Sequence, residues 1–461
     1  MRIVLACALA GSLALMGCST PPRSSWTDKA DAVIEEAIAL GEIPGAVIWV
    51  GRRDHTIYRK AYGMRALQPT PEAMSLDTVF DLASLTKVIA TASAVMMLVE
   101  DGKIRLSDRV RAVLPEFTGP GKEAVTLRHL LTHTSGLRPS LDLQPGWRGA
   151  EEAVRRAAQE DLQAAPGEQF VYSDIGFILL GEIVSRISGV PLEEFVRRRV
   201  WEPLGMEQTE FRPPASLIPR IAPTQSCASQ DGPCEGADRL MMRGVVHDPT
   251  ARRMGGVAGH AGVFAPASDL SRYVRMILRG GELDGRRVLS ASGVARMTSR
   301  ATPPTMDVQR GLGWDIDSSY SSSRGDLFPI GSFGHTGFTG TSIWIDPFSG
   351  VYVILLTHRV HPDGQGDVIP LRSKVATIVA AALAGDPYSE AARGRTFASP
   401  EFRSPERPSA QRPLPPVDID SNTPAAPVPS GLQGQALSPW GRKTSIASQN
   451  RGELNALWEA A

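Results

Sequence analysis

Ser84 stands three residues before Lys87 in Phe80-Asp81-Leu82-Ala83-Ser84-Leu85-Thr86-Lys87, and no other lysine is preceded by a serine at that spacing. The residues three before Lys29, Lys60, Lys103, Lys122, Lys374 and Lys443 are Trp26, Ile57, Glu100, Gly119, Leu371 and Trp440. On a helix this separation stacks two side chains one turn apart on one face, where an amine reaches a hydroxyl. A serine hydroxyl becomes a nucleophile when a base takes its proton, and a lysine is that base when burial or a cationic neighbour lowers its pKa. The chemistry read from the pair is acyl transfer through an ester of Ser84, with the bland reading a surface lysine one turn from a capping serine.

Such a site needs a second proton carrier and an oxyanion hole. Tyr172-Ser173-Asp174 follows Pro166-Gly167 and precedes the apolar run Ile175 to Leu180, so it places a phenol and a carboxylate at a helix start. Asp174 also suits that position as an ordinary N-terminal helix charge. His335-Thr336-Gly337-Phe338-Thr339-Gly340 precedes a predicted strand, Thr341 to Asp346. Its glycines let a substrate backbone lie along the strand edge, with the Phe338 N–H facing the oxyanion.

In this order, Ser84-x-x-Lys87, Tyr172-x-Asp174 and His335-Thr336-Gly337 resemble the three motifs of the penicillin-recognising serine hydrolases: class C β-lactamases, DD-peptidases and related esterases. Leu130-Leu131-Thr132-His133-Thr134-Ser135-Gly136-Leu137 and His247-Asp248-Pro249-Thr250-Ala251-Arg252-Arg253-Met254-Gly255-Gly256 agree and look most like the 4B type of penicillin-binding protein. The resemblance spans about Asp28 to Leu383. It implies that Ser84 is acylated, that Lys87 and Tyr172 share proton transfers, and that the N–H groups of Ser84 and Phe338 bind the oxyanion. Asp174, His335, Thr336 and Gly337 then line the substrate cleft, and no metal or organic cofactor is implied.

Two positions depart from the family pattern: the second motif commonly ends in Asn, the third commonly begins with Lys, and Asp174 and His335 stand there. An imidazole with an ordinary pKa near 6.5 in place of a permanent cation weakens attraction for a substrate carboxylate at neutral pH. This argues against efficient β-lactam hydrolysis and predicts a pH dependence of acylation set by His335. Asp174 adds a negative charge that holds Lys87 cationic and shifts proton traffic to Tyr172. Arg359, at a strand end, is a candidate replacement for the lost carboxylate contact.

The implied substrates are peptidoglycan stem peptides ending in D-Ala-D-Ala, with small esters or β-lactams as the alternative. Two rivals come from other classes. His129 and His133 have the spacing of two helical metal ligands, with His247 or His260 to complete a zinc site, although no Glu stands between them. The changed motif residues also suit an envelope protein that binds peptidoglycan without turnover.

The elements that must position these residues read as an α+β fold, an antiparallel sheet flanked by N- and C-terminal helices with an all-helical insertion. Ala30, Val33, Ile34, Ala37 and Ile38 form a helical stripe. Gly45 to Val50 and His55 to Tyr62 form a predicted hairpin at a sheet edge, and Leu85, Val88, Ile89, Ala92, Val95, Met96 and Val99 form one face of the nucleophile helix. Residues 100–250 are mainly helical, including 151–160 and 174–199. A helix over Asp269 to Leu278, a hairpin of Thr341 to Asp346 with Val351 to His358, and a helix over Leu371 to Ala384 close the domain, placed at 26–385.

Lysine and arginine balance aspartate and glutamate at 49 each among 461 residues, so nothing here suits nucleic acid. Arg2 precedes an apolar run from Ile3 to Met16 that is too short to span a membrane and ends in Leu15-Met16-Gly17-Cys18. This resembles a bacterial lipoprotein signal over 1–18, which implies lipidation at Cys18, a tether over 19–25 and a catalytic domain on the periplasmic or outer face of the membrane. With Cys7 in the signal, Cys227 and Cys234 remain as a candidate disulfide in an oxidising compartment. Residues 386–461, rich in Pro, Ser and Arg, read as a disordered tail. Nothing in the sequence sets the oligomeric state.

Overall fold

Alternation along two strands explains the main sheet. In Gly45–Arg52, the side chains of Ala46, Ile48 and Val50 enter one apolar layer and those of Val47 and Trp49 the opposite one. In Val351–Thr357, Val351, Val353 and Leu355 join the first layer and Tyr352, Ile354 and Leu356 the second. Successive side chains point to opposite faces of a strand, so an unbroken apolar run requires cover on both sides.

The structure is a computed structural model and describes residues 25–227 and 241–384. Its eight-stranded sheet runs, edge to edge, Glu72–Ala73, His55–Ala66, Gly45–Arg52, Val351–Thr357, Ser342–Ile345, Phe333–Thr336, Asp315–Asp317 and Gln309–Arg310. Neighbours are antiparallel, and Gly45–Arg52 pairs with Val351–Thr357 from Ala46 opposite Thr357 to Arg52 opposite Val351. The first hairpin thus stands at one end of the sheet, its inner strand Gly45–Arg52 paired on both sides and its outer strand His55–Ala66 followed only by the two-residue Glu72–Ala73. Helices Ser25–Ala39 and Ile369–Leu383 cover one face through Ile34, Ala37, Val375 and Val379. Helix Ala267–Leu278 packs on the other.

Two expectations change. The stretch 174–199 breaks into Asp174–Ser188 and Leu192–Trp201, inclined by 74°. Gly189, at φ +76°, ends the first helix and Pro191 precedes the second. The insertion is also not wholly helical. Glu210–Phe211 pairs with Val263–Pro266, which pairs with Val79–Asp81 to make a small three-stranded sheet leading directly to Ser84.

The segment Ala83–Glu100 is helical, but its expected single apolar face becomes burial all round, with Ala90, Ala94, Met97 and Leu98 enclosed as fully as Leu85 and Val88. Cys227 is disulfide-bonded. Cys234, the Cys18 lipidation site with its signal, the tether up to residue 24 and the Pro-rich tail lie outside the described residues, while Ser25, expected to end the tether, opens the first helix.

Candidate active site

Ser84 is set by a strained turn. Ala83 has φ +45°, a conformation costly for a residue with a Cβ, and the Asp81 carboxylate holds it by accepting the Ala83 N–H at 2.9 Å. The other Asp81 oxygen accepts the His247 N–H at 2.7 Å. Burial raises the Asp81 carboxyl to about 6 against the pull of those N–H groups. Beyond Ser84 the chain winds as a wide π-helix over Lys87–Ala92, a form that recurs at functional sites.

Lys87 is fully buried, and its Nζ donates to Ser84 Oγ at 2.9 Å and to the His260 carbonyl oxygen at 3.3 Å. It also pairs with Asp174 at 2.6 Å. Burial pulls the Lys87 pKa down, but Asp174 and Tyr172 together carry it above the usual lysine value. The balance favours an ammonium at Lys87, hydrogen-bonded to Ser84 and the His260 carbonyl and ion-paired with Asp174.

Asp174 opens helix Asp174–Ser188, capped by Ser173, whose hydroxyl accepts the Gly176 N–H at 3.3 Å. Tyr172 lies beneath Lys87, with Nζ 4.8 Å from its ring centre. Its ring stacks on His133 at 4.4 Å on one side and on Tyr320 at 5.0 Å on the other. His133 Nδ1 accepts the Ser173 N–H at 3.0 Å, which fixes the turn between Tyr172 and Asp174.

The third motif lies across the cleft. Thr339 donates to the Asp81 carbonyl at 2.7 Å and Thr341 to the Leu82 carbonyl at 3.1 Å, so the motif's turn is tied to the turn that carries Ser84. Gly337 sits where a Cβ would meet the Leu82 carbonyl oxygen at 2.4 Å, a contact only glycine avoids. Arg372 Nη2, in the C-terminal helix, donates to the Gly337 and Thr341 carbonyls at 2.8 Å each. Arg359 Nε donates to the Phe338 carbonyl at 2.8 Å and its Nη1 to Gly366 at 2.7 Å. Arg359 is therefore tied to backbone and does not line the cleft where the carboxylate contact was anticipated.

His335 is 4 % exposed, and its Nδ1–H donates to the Thr336 carbonyl at 2.8 Å. Burial first, then Arg310 and Lys87, push its pKa well below 6.5. Burial thus favours the neutral imidazole, which argues against the expected His335-dependent pH profile of acylation.

The metal alternative loses its ligand pair. His129 caps helix Leu127–Leu131 through Thr126, whereas His133 lies past the helix end at φ +57° and faces Tyr172. Among the described residues, Asp174, Asp248 and His260 do cluster within 4.8 Å. The cation on Asp174 is the Lys87 ammonium, while Asp248 accepts from His260 Nε2 at 2.9 Å and from the Ala251 N–H at 2.7 Å. Burial pushes Asp248 up, and His260, Ala251 and Lys87 more than reverse it, holding it below the usual carboxylate range.

Ser84, Tyr172, Asp174, His335, Thr336 and Phe338 line one cleft of about 430 Å³, with Asp248, Arg310 and Tyr320 also in its wall. Lys87 and Gly337 stand behind it, touching Ser84 and Leu82. The family model described as Beta-lactamase matches residues 30–377. The chain belongs to the beta-lactamase family. It is a serine hydrolase of that family, 29 % identical over 378 residues to an Escherichia coli (strain K12) protein named "Putative D-alanyl-D-alanine carboxypeptidase", covering 74 % of this chain and 85 % of that one. EstCE1, a hydrolase with promiscuous acyltransferase activity, superposes with a TM-score of 0.63 at 24 % identity over 77 % of this chain and 98 % of its own. A class C beta-lactamase gives 0.62 at 22 % identity over 79 % and 98 %. These likenesses reach the beta-lactamase family and its fold; they do not separate the 4B type from its sister groups.

Asp248, Arg310, Tyr320, Thr339, Thr341 and Arg372 were missed as site residues, and His260 was read only as a zinc ligand. His247-Asp248 signals itself through the 4B-like stretch, whereas Arg310 and Arg372 sit in unremarkable sequence and reach the site only through folding.

Proposed function

We propose that this serine hydrolase acylates Ser84 with peptidoglycan stem peptides, as a DD-carboxypeptidase or endopeptidase of the penicillin-binding protein 4B type, exported and lipid-anchored through Cys18. The observation that carries it is the Lys87 ammonium, held between Ser84 Oγ and Asp174 in a cleft that also contains Tyr172 and the third motif. The carboxypeptidase name of the relatives supports the substrate class, and the signal-like N-terminus supports export.

Ser84 Oγ attacks the scissile carbonyl while its proton passes to the Tyr172 oxygen and the phenol proton passes to the leaving nitrogen. Lys87 keeps its charge throughout and stabilises Oγ and the developing oxyanion field. The N–H groups of Ser84 and Phe338 receive the oxyanion. A water then attacks the ester by the reverse proton path, regenerating Ser84 and releasing the acid.

An esterase is the second reading, favoured by the neutrality of His335, which removes the third motif's cation. D-alanine release from an N-acyl-D-Ala-D-Ala peptide by the wild type, abolished in Ser84→Ala, supports the peptidase and excludes binding without turnover. Hydrolysis of p-nitrophenyl esters with no D-alanine release assigns the esterase.

A further inference from the structure

A peptide ending in D-Ala-D-Ala brings a carboxylate beside the scissile bond, and the place where the family commonly has a lysine offers it nothing. The Nδ1–H of His335 is committed to the Thr336 carbonyl, so its Nε2, buried and without a hydrogen-bond partner, is an acceptor. An acceptor repels a carboxylate. Arg359 gives Nε and Nη1 to backbone carbonyls, and Arg372 gives Nη2 to the Gly337 and Thr341 carbonyls; Arg372 Nε has no hydrogen-bond partner, but neither arginine lines the cleft.

Arg310 remains. It comes from the edge strand Gln309–Arg310, two strands from His335, and is the only lysine or arginine in the cleft wall among the described residues. The side chain is fully buried. Its Nη2 donates to the Gly313 carbonyl at 3.1 Å, and Nη1 lies 3.4 Å from Asp315, while neither Nη1 nor Nε makes a hydrogen bond. Asp315 is satisfied elsewhere, accepting from Ser318 at 2.7 Å and Ser321 at 2.8 Å. Buried donors left without acceptors are costly, and an arginine fork matches a carboxylate in two bonds. Phe170 and Tyr172 hold the guanidinium in place, their ring centres 5.5 and 5.7 Å from it.

Building on the carboxypeptidase reading, we infer that Arg310 receives the substrate's terminal carboxylate, the recognition having moved from the third motif to this strand. Asp315 is a positioning residue that orients the guanidinium.

The test measures binding, so it does not depend on turnover. Calorimetry on full-length Ser84→Ala protein compares an N-acyl-D-Ala-D-Ala peptide with its C-terminal amide. The free acid should bind at least tenfold more tightly, and Arg310→Gln combined with Asp315→Asn, which keeps the pair neutral, should abolish that preference. If the double change unfolds the protein by circular dichroism, Arg310→Lys replaces it and should narrow the preference by severalfold. Equal affinities, tighter binding of the amide, or a preference that survives the substitution overturns the assignment. Failure of the wild type to release D-alanine sinks the carboxypeptidase reading separately.

Discussion

At the scale of single residues the account turns on the charge of Lys87. In the proposed mechanism an ammonium at Lys87, hydrogen-bonded to Ser84 and a carbonyl and ion-paired with Asp174, leaves the serine proton to Tyr172. Because Asp174 is the larger of the two groups that raise the Lys87 pKa against burial, Asp174→Asn leaves only Tyr172 opposing burial and lowers it. A larger fraction of Lys87 is then neutral at a given pH, and any limb of the kcat/KM profile that follows Lys87 moves to lower pH. A profile whose limbs stay put contradicts this assignment. Tyr172→Phe keeps the stacking on His133 and Tyr320 but removes the relay; kcat should fall by about 10²- to 10⁴-fold, the usual range for general acid–base groups, with little change in substrate binding. His335→Gln should leave the pH limbs unmoved, since the histidine is neutral in the folded protein. Ser84, Lys87, Tyr172 and Asp174 were all legible because motif spacing on a helix or turn translates directly into reach. The state of His335 was not, because spacing carries no information about burial.

At the scale of elements, two turns from distant parts of the chain are tied together: the Asp81–Ser84 turn and the Gly337–Thr341 turn. Asp81 satisfies two buried N–H groups, so Asp81→Ala should destabilise the protein by about 2–5 kcal/mol in denaturant unfolding, the cost of orphaning both. Its pH effect has a definite sign. The folded pKa, about 6, stands above the ordinary aspartate value, so the stability linked to protonating Asp81 is fully present below about pH 4 and is lost as pH rises through about 6. Asp81→Asn should flatten the slope of unfolding free energy between those pH values. Gly337→Ala drives a methyl group into the Leu82 carbonyl and should cost about 1–3 kcal/mol, with a larger loss of kcat than of stability because Phe338 shifts with it. The strands and terminal helices were readable from alternation and period. The break at Gly189 and the small sheet at Glu210 were not, since each depends on what packs against the segment.

For the whole molecule, Gly45–Arg52 pairing with Val351–Thr357 closes one sheet from the two ends of the domain, and the cleft opens between that sheet and the helical insertion. Distant pairings of this kind bring Arg310 and Arg372 to the site, which is why linear sequence did not mark them. If Cys18 anchors the chain, Cys18→Ser should move the protein from membrane to soluble fractions and remove the lipid mass from its N-terminal peptide; unchanged partitioning refutes the anchor. The central claim, a covalent acyl-enzyme on Ser84, is reached most directly by mixing a soluble form starting after Cys18 with a penicillin and recording intact mass. An adduct on the wild type and none on Ser84→Ala is the predicted result. An adduct of equal yield on both, or penicillin consumption that survives Ser84→Ala, contradicts it.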